Sequence, residues 1–145
     1  YAKKIGASTG LLTCNHVDRK RYVNHLIKVI VGPEILSGST RLKSGTATKM
    51  VLNMISTVTM IKLKRTFGNV MIDLLPKNKK LINRSIDIIV DQLSVDRQKA
   101  KSIYDMSGGN LKIAILMGKD NLSQKEAGIK LDENKGSLSD SLKSR

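Results

Sequence analysis

Apolar residues recur along this chain in two rhythms. Near the start they come as short runs. Thr9 to Thr13 follows a glycine-bounded turn and ends at Cys14-Asn15, and Leu26 to Val31 is rich in β-branched residues. Both read as strands covered on two faces, the kind that build a parallel sheet. His16 to Asn24, polar, basic and without a period, reads as the loop between them. From Ala47 the rhythm changes. Ala47, Met50, Val51, Met54, Ile55, Val58 and Ile61 recur at the i, i+3, i+4 spacing of one helical face, predicting a helix to Leu63 with that stripe in the core.

Phe67-Gly68-Asn69 breaks this helix. Val70 to Leu75 follows as a short apolar segment before Pro76, a pattern that predicts a domain boundary. Beyond it the pattern is helical throughout. Leu81, Ile82, Ser85, Ile86, Ile89, Val90 and Leu93 mark a second helix. Asp96 starts a third, with Ala100, Ile103 and Tyr104 inward and Gly108-Gly109 as its stop. Asn110 caps a fourth built on Leu111, Ile113, Ala114, Leu116 and Met117, and Ser123 with Glu126 forms a capping box for a fifth. The residues after Glu133 are mostly small and polar and are expected to fray. The predicted organisation is residues 1–75 as the end of an α/β domain, 76–133 as a helical domain, and 134–145 as a tail.

A length of 145 residues allows one modest core, or one core with a small helical appendage. The net charge of +14 raises nucleic acid or an acidic membrane surface as partners. An aromatic content of 3% leaves few platforms for stacking bases, and the basic residues are scattered, so neither nucleic acid nor membrane is expected. The same charge attracts phosphate-bearing ligands. Cys14 is alone, and with His16 and His25 it makes no zinc spacing, so neither a disulfide nor a zinc site is expected. His16 and His25 read as surface residues and Cys14 as a small core residue. No apolar run approaches the roughly 20 residues of a membrane span, and no signal-peptide layout opens the chain, which fits a reducing cytoplasm.

The chemistry is densest in Gly32 to Lys49, GPEILSGSTRLKSGTATK, which places two glycine-rich turns, hydroxyl side chains, three cations and Glu34 between a strand and a helix. The first turn of a helix leaves backbone N–H groups without partners and carries partial positive charge. A polar loop at that point reads as an oxyanion site.

Gly32, Pro33, Glu34, Ser37, Gly38, Ser39, Thr40, Arg41, Lys43, Gly45, Thr46, Ala47 and Lys49 resemble the signature shared by N-acetylmuramic acid 6-phosphate etherases and the glucokinase regulatory protein. The likeness extends through YAKKIGAST and LTCN before the signature and VLNMIST, FGNVMIDL and NKKL after it. It implies the C-terminal half of a sugar isomerase (SIS) fold, an α/β parallel-sheet domain, followed by a small all-helical domain of the ubiquitin-associated (UBA) type. It also implies a sugar phosphate substrate, no cofactor, and a homodimer or association with an N-terminal half. The family's reaction splits the D-lactyl ether of N-acetylmuramic acid 6-phosphate to N-acetylglucosamine 6-phosphate and D-lactate. It proceeds by elimination, in which a carboxylate removes the proton at sugar C2, followed by addition of water. The glutamates thought to do this belong to the half before Tyr1, so the expectation is an etherase fragment without its catalytic pair. The alternatives are a non-catalytic sugar-phosphate sensor and an inactive split-gene product.

Each candidate residue has two readings. Glu34, the one carboxylate placed for catalysis, is either an active-site group or an acceptor for loop amides that also pairs with Arg41. Arg41 is a clamp for phosphate or carboxylate, or a surface ion-pair partner. Ser39 and Thr40 hydrogen-bond the sugar or its phosphate, or one of them is the helix N-cap. Lys43 and Lys49 attract the phosphate or lactyl group, or are solvated. Asn53 contacts substrate, or bonds a neighbouring loop.

Overall fold

The computed structural model describes residues 1–74 and 76–144. It is a mixed α/β chain that divides into two compact units, Tyr1–Val58 and Thr59–Arg145.

In the first unit a single 3₁₀ turn, Ala2–Ile5, ends at Gly6, and two short strands follow, β1 (Gly10–Thr13) and β2 (His25–Lys28). They pair in parallel with Leu11 opposite Leu26 and Leu12 opposite Ile27. Thr9 sets the register. Its N–H donates to Asn24 Oδ1 at 3.0 Å, its hydroxyl donates to the Tyr22 carbonyl, and its carbonyl accepts from His25 N. At the other end Val29 N donates to the Thr13 carbonyl at 2.9 Å, carrying the pairing just past β2. The chain then runs through the Gly32–Leu42 loop into α1 (Lys43–Lys62).

The apolar stripe of α1 departs from its expected place in a core. The helix buries no residue, and Met50, Met54, Ile55, Val58 and Ile61 are all exposed, at 47% to 57%. Leu52 and Met60, off that stripe, are exposed as well, so apolar groups nearly encircle the helix. Two strands of four residues offer too little apolar area to cover such a surface. Val23 is the buried hydrophobic residue of this unit.

The second unit has a well-formed core. Past α1, a hairpin of β3 (Thr66–Phe67) and β4 (Val70–Met71) turns on Gly68-Asn69, with Gly68 at φ 57° as the first residue of a two-residue hairpin loop requires. Four helices follow: α2 (Lys79–Leu93), α3 (Arg97–Met106), α4 (Leu111–Asp120) and α5 (Gln124–Glu133). Each begins at a side-chain cap, expected from the sequence at Asp96, Asn110 and Ser123 but not at Asn78. Asn78, Asp96 and Asn110 accept from backbone N–H groups of the first turns, and Ser123 with Glu126 completes the capping box. Ala100, Ile103 and Tyr104 face inward as expected, and Ile72, Ile86, Ile89, Leu111, Ala114, Leu116, Ala127 and Leu131 join them. Ile88 and Ile115, which the periodicity passes over, are also buried.

Two features differ from the expected organisation. The division between units falls inside α1 and not near residue 75, because Phe67, Val70 and Ile72 pack onto the helical core. The stretch after Glu133 does not fray. It forms α6 (Leu138–Ser141), with Ser137 as N-cap, because Leu138, fully buried, and Leu142, packed against the core, dock it.

Candidate functional site

The loop from Gly32 and the first turn of α1 form one hydrogen-bonded structure, and Glu34 is its centre. Lys43 N donates to Glu34 Oε2 and Ser44 N donates to Glu34 Oε1, each at 3.0 Å. Further on, Gly45 N donates to the Thr40 carbonyl at 2.8 Å and Thr46 N to the Leu42 carbonyl at 3.0 Å. The leading N–H groups of α1 are therefore all matched. The oxyanion expected at this helix start is supplied by the chain itself, in the carboxylate of Glu34, so the first turn as it stands holds no vacant donors for an incoming phosphate. A carboxylate is favoured there by the partial positive charge of the helix start. The amide of Ser44, then that of Lys43, holds the Glu34 carboxyl below its ordinary value, and the Lys43 charge adds to the effect. Gly45 eases this turn, because a Cβ there would crowd the Thr40 carbonyl at 3.3 Å.

This arrangement decides several open readings. Glu34 accepts from the first two amides of α1 and does not pair with Arg41. Neither Ser39 nor Thr40 caps the helix through its side chain; the Thr40 carbonyl and the Glu34 carboxylate take that part. Among the described residues no ion pair involves Arg41, Lys43 or Lys49. Arg41 and Lys43 line an open depression of about 700 Å³ with Val31, Leu42, Thr46, Ala47 and Met50. Lys43 bends back toward Gly32, its Nζ 3.9 Å from where a Cβ on that glycine would sit. Lys49 and Asn53 lie exposed farther along α1 and outside that lining, and the Asn53 carbonyl accepts from Ser56 Oγ at 3.1 Å. The structure thus brings together Glu34, Arg41 and Lys43, with Ser39 and Thr40 in the adjoining loop.

Sequence reasoning passed over the contacts that tie this loop to the sheet. Cys14, at the end of β1, donates from Sγ to the Ser44 carbonyl at 3.7 Å and lies 3.8 Å from Thr48 Oγ1. Ser44 and Thr48 are four apart, which puts both on the helix face that meets a strand end, and that spacing was the available signal. Among the described residues no three His, Cys, Asp or Glu side chains gather as metal ligands, and no helix is long and apolar enough to cross a membrane.

Comparison with known proteins bears on the same stretch. No protein-family model matches the chain. An N-acetylmuramic acid 6-phosphate etherase of Staphylococcus epidermidis is 48% identical over 143 residues, which is 98% of this chain and 48% of that protein. The chain matches a C-terminal portion of the N-acetylmuramic acid 6-phosphate etherases. The etherase of Clostridium beijerinckii is 45% identical over 98% of the chain and 47% of its own length. That of Staphylococcus saprophyticus is 43% identical over 92% of the chain and 45% of its own length. The chain therefore spans about half the length of the etherases it matches. At such identity the alignment carries through both units, the Gly32–Lys49 loop and the helices after Pro76 alike.

Proposed function

We propose that the chain forms the C-terminal part of an etherase acting on N-acetylmuramic acid 6-phosphate in cell-wall amino sugar recycling, and that it contributes a substrate-binding wall and not the catalytic carboxylates. The observation that carries this reading is the 48% identity to an etherase across 98% of the chain. In it, the first unit is the end of an SIS-type parallel sheet and the second a UBA-like helical domain, working in the cytoplasm.

The chemistry divides accordingly. Splitting the lactyl ether by elimination needs a carboxylate of raised pKa to remove the proton at sugar C2. Glu34 has the opposite character, being held ionised by two amides. It anchors the loop. Arg41 and Lys43, which line the depression and form no ion pair among the described residues, attract the phosphate or the lactyl carboxylate. Ser39 and Thr40 offer hydroxyls to the sugar or its phosphate, and Lys49 and Asn53 extend the wall along α1. The carboxylates that act as acid and base lie in the half of the etherase length that this chain does not span. The exposed apolar surface of α1 is where that half, or a second subunit of a homodimer, packs.

D-lactate release from N-acetylmuramic acid 6-phosphate tests the assignment. The chain alone is expected to release none, and the chain mixed with the N-terminal half of the Staphylococcus epidermidis etherase is expected to release it. Release by the chain alone would make Glu34 the catalyst and sink the half-site reading. A mixture that neither releases D-lactate nor binds the sugar phosphate would sink the etherase reading.

One observation favours a second reading, a non-catalytic sugar-phosphate sensor: the loop's carboxylate is committed to backbone amides. Sugar phosphate binding by the assembled protein without lactate release would select it.

A further inference from the structure

Three charged side chains meet where the chain enters the helical unit. Asp73 places one carboxylate oxygen 2.8 Å from Lys112 Nζ and pairs through the other with Arg65. The Lys112 side chain is 14% exposed, and its ammonium also donates to the Gly136 carbonyl at 3.0 Å. A few residues later Asp140, in α6, pairs with Lys64. The segment after α5 is thus held at two points by cations from elsewhere in the unit, one half-buried and one exposed. Between those points lies a single wholly apolar anchor, Leu138.

The hydrogen bonds of this segment are mostly its own. Ser141 N donates to the Ser137 carbonyl, Leu142 N to the Leu138 carbonyl, and both Lys143 N and Ser144 N to the Asp140 carbonyl. Beyond the Lys112 contact, Ser141 Oγ reaches the Lys130 carbonyl at 3.4 Å, and Asn134 and Gly136 bond back to the last turn of α5. Detachment therefore breaks fewer bonds to the rest of the unit than the segment makes within itself. It also leaves no stranded charge, because Lys112 keeps Asp73 when it loses Gly136, and Asp140 and Lys64 both pass into water. A segment with more bonds within itself than outward, and with only Leu138 and the partly buried Leu142 on the core, is the kind that opens below the global unfolding free energy.

We propose that residues 134–144 form an ionic strap that docks on α4 and α5 and releases as a unit while α2 to α5 stay folded, with Lys112 as its inner fastener and Lys64 as its outer one. Release uncovers the apolar seat of Leu138 against α4 and α5. The strap is a conformational device of the helical unit and does not depend on the etherase reading.

Amide hydrogen exchange on the full chain tests it. Ser141 and Leu142 amides are expected to exchange faster than those of Ile115 and Leu116 in the wild type. In Lys112→Met they are expected to accelerate further by about tenfold, the loss of one hydrogen bond to a charged group. Lys64→Ala, at an exposed site, is expected to accelerate them about threefold. Ile115 and Leu116 should be unchanged in both variants. Equal rates for the strap and α4 in the wild type, or strap amides indifferent to both substitutions, would overturn the proposal. If Lys112→Met fails to fold, the wild-type comparison and Lys64→Ala decide the matter.

Discussion

Glu34 Oε1 accepts the backbone N–H of Ser44 at 3.0 Å, ten residues away in sequence, and that contact closes the Gly32–Leu42 loop onto the start of α1. Removing the carboxylate in Glu34→Ala is expected to fray the first turn of α1 and speed hydrogen exchange at Lys43 and Ser44. The second unit should keep its protection. Unchanged exchange at those two amides would show that the loop holds without Glu34.

The same contact has a pH signature. The folded-state pKa of Glu34 lies below its ordinary value of 4.5, so the stabilisation is fully present above that pH. It is lost as the pH falls through the lower, folded-state value. Protection of the Lys43 and Ser44 amides should therefore be constant near neutrality and decline only in acid below 4.5, and in Glu34→Gln that acid dependence should vanish.

Arg41→Ala and Lys43→Ala are each expected to weaken binding of a sugar phosphate by about 5- to 10-fold, as loss of a charge-assisted hydrogen bond would. Lys49→Ala and Asn53→Ala, which lie outside the depression, should have smaller effects. Calorimetric titration of the assembled protein measures this, and a larger effect at Asn53 than at Arg41 would relocate the ligand along α1.

Gly118→Ala should destabilise the helical unit. A Cβ at that position would run into Leu93 Cδ1 and lie 2.9 Å from Cδ2. Overpacking of this kind costs about 1–3 kcal/mol, more than the ~1 kcal/mol that alanine gains over glycine in a helix. Urea denaturation reads the difference, and Leu93→Ala in the same chain should recover part of the loss.

The exposed face of α1 should bind hydrophobic dyes and drive association at high concentration. Met54→Gln with Val58→Gln is expected to reduce both without lowering the helix content, because neither side chain is buried. Loss of helical signal would show that the apolar stripe holds α1 together.

The helical unit was the more readable half, for a physical reason. Asn78, Asp96, Asn110 and Ser123 state their roles locally, since a cap and its amide lie within three residues of each other. Leu138 was missed because its partners come from α4 and α5 and its own neighbours are Ser, Lys and Gly, so nothing nearby marks it as buried. In the first unit the reverse error arose. The spacing from Ala47 to Ile61 shows that a helical face is apolar, but periodicity cannot say whether anything stands opposite it. The Gly32–Lys49 loop was found at once by its composition. Its dominant interaction is not legible in the sequence, because Glu34 and Ser44 are brought together by the path of the loop, which residue types alone do not reveal.

Among the described residues β1 and β2 pair only with each other, so each strand turns one row of backbone N–H and C=O groups outward. The sheet therefore has two sites of growth, one on either side, and its parallel pairing gives both a polarity. A strand that joins in the same direction as its neighbour must be delivered by a crossover of a dozen or more residues, whereas one that joins head to tail can come from a simple hairpin. The direction in which any further strand runs beside β1 or β2 would thus record the kind of connection that brought it there.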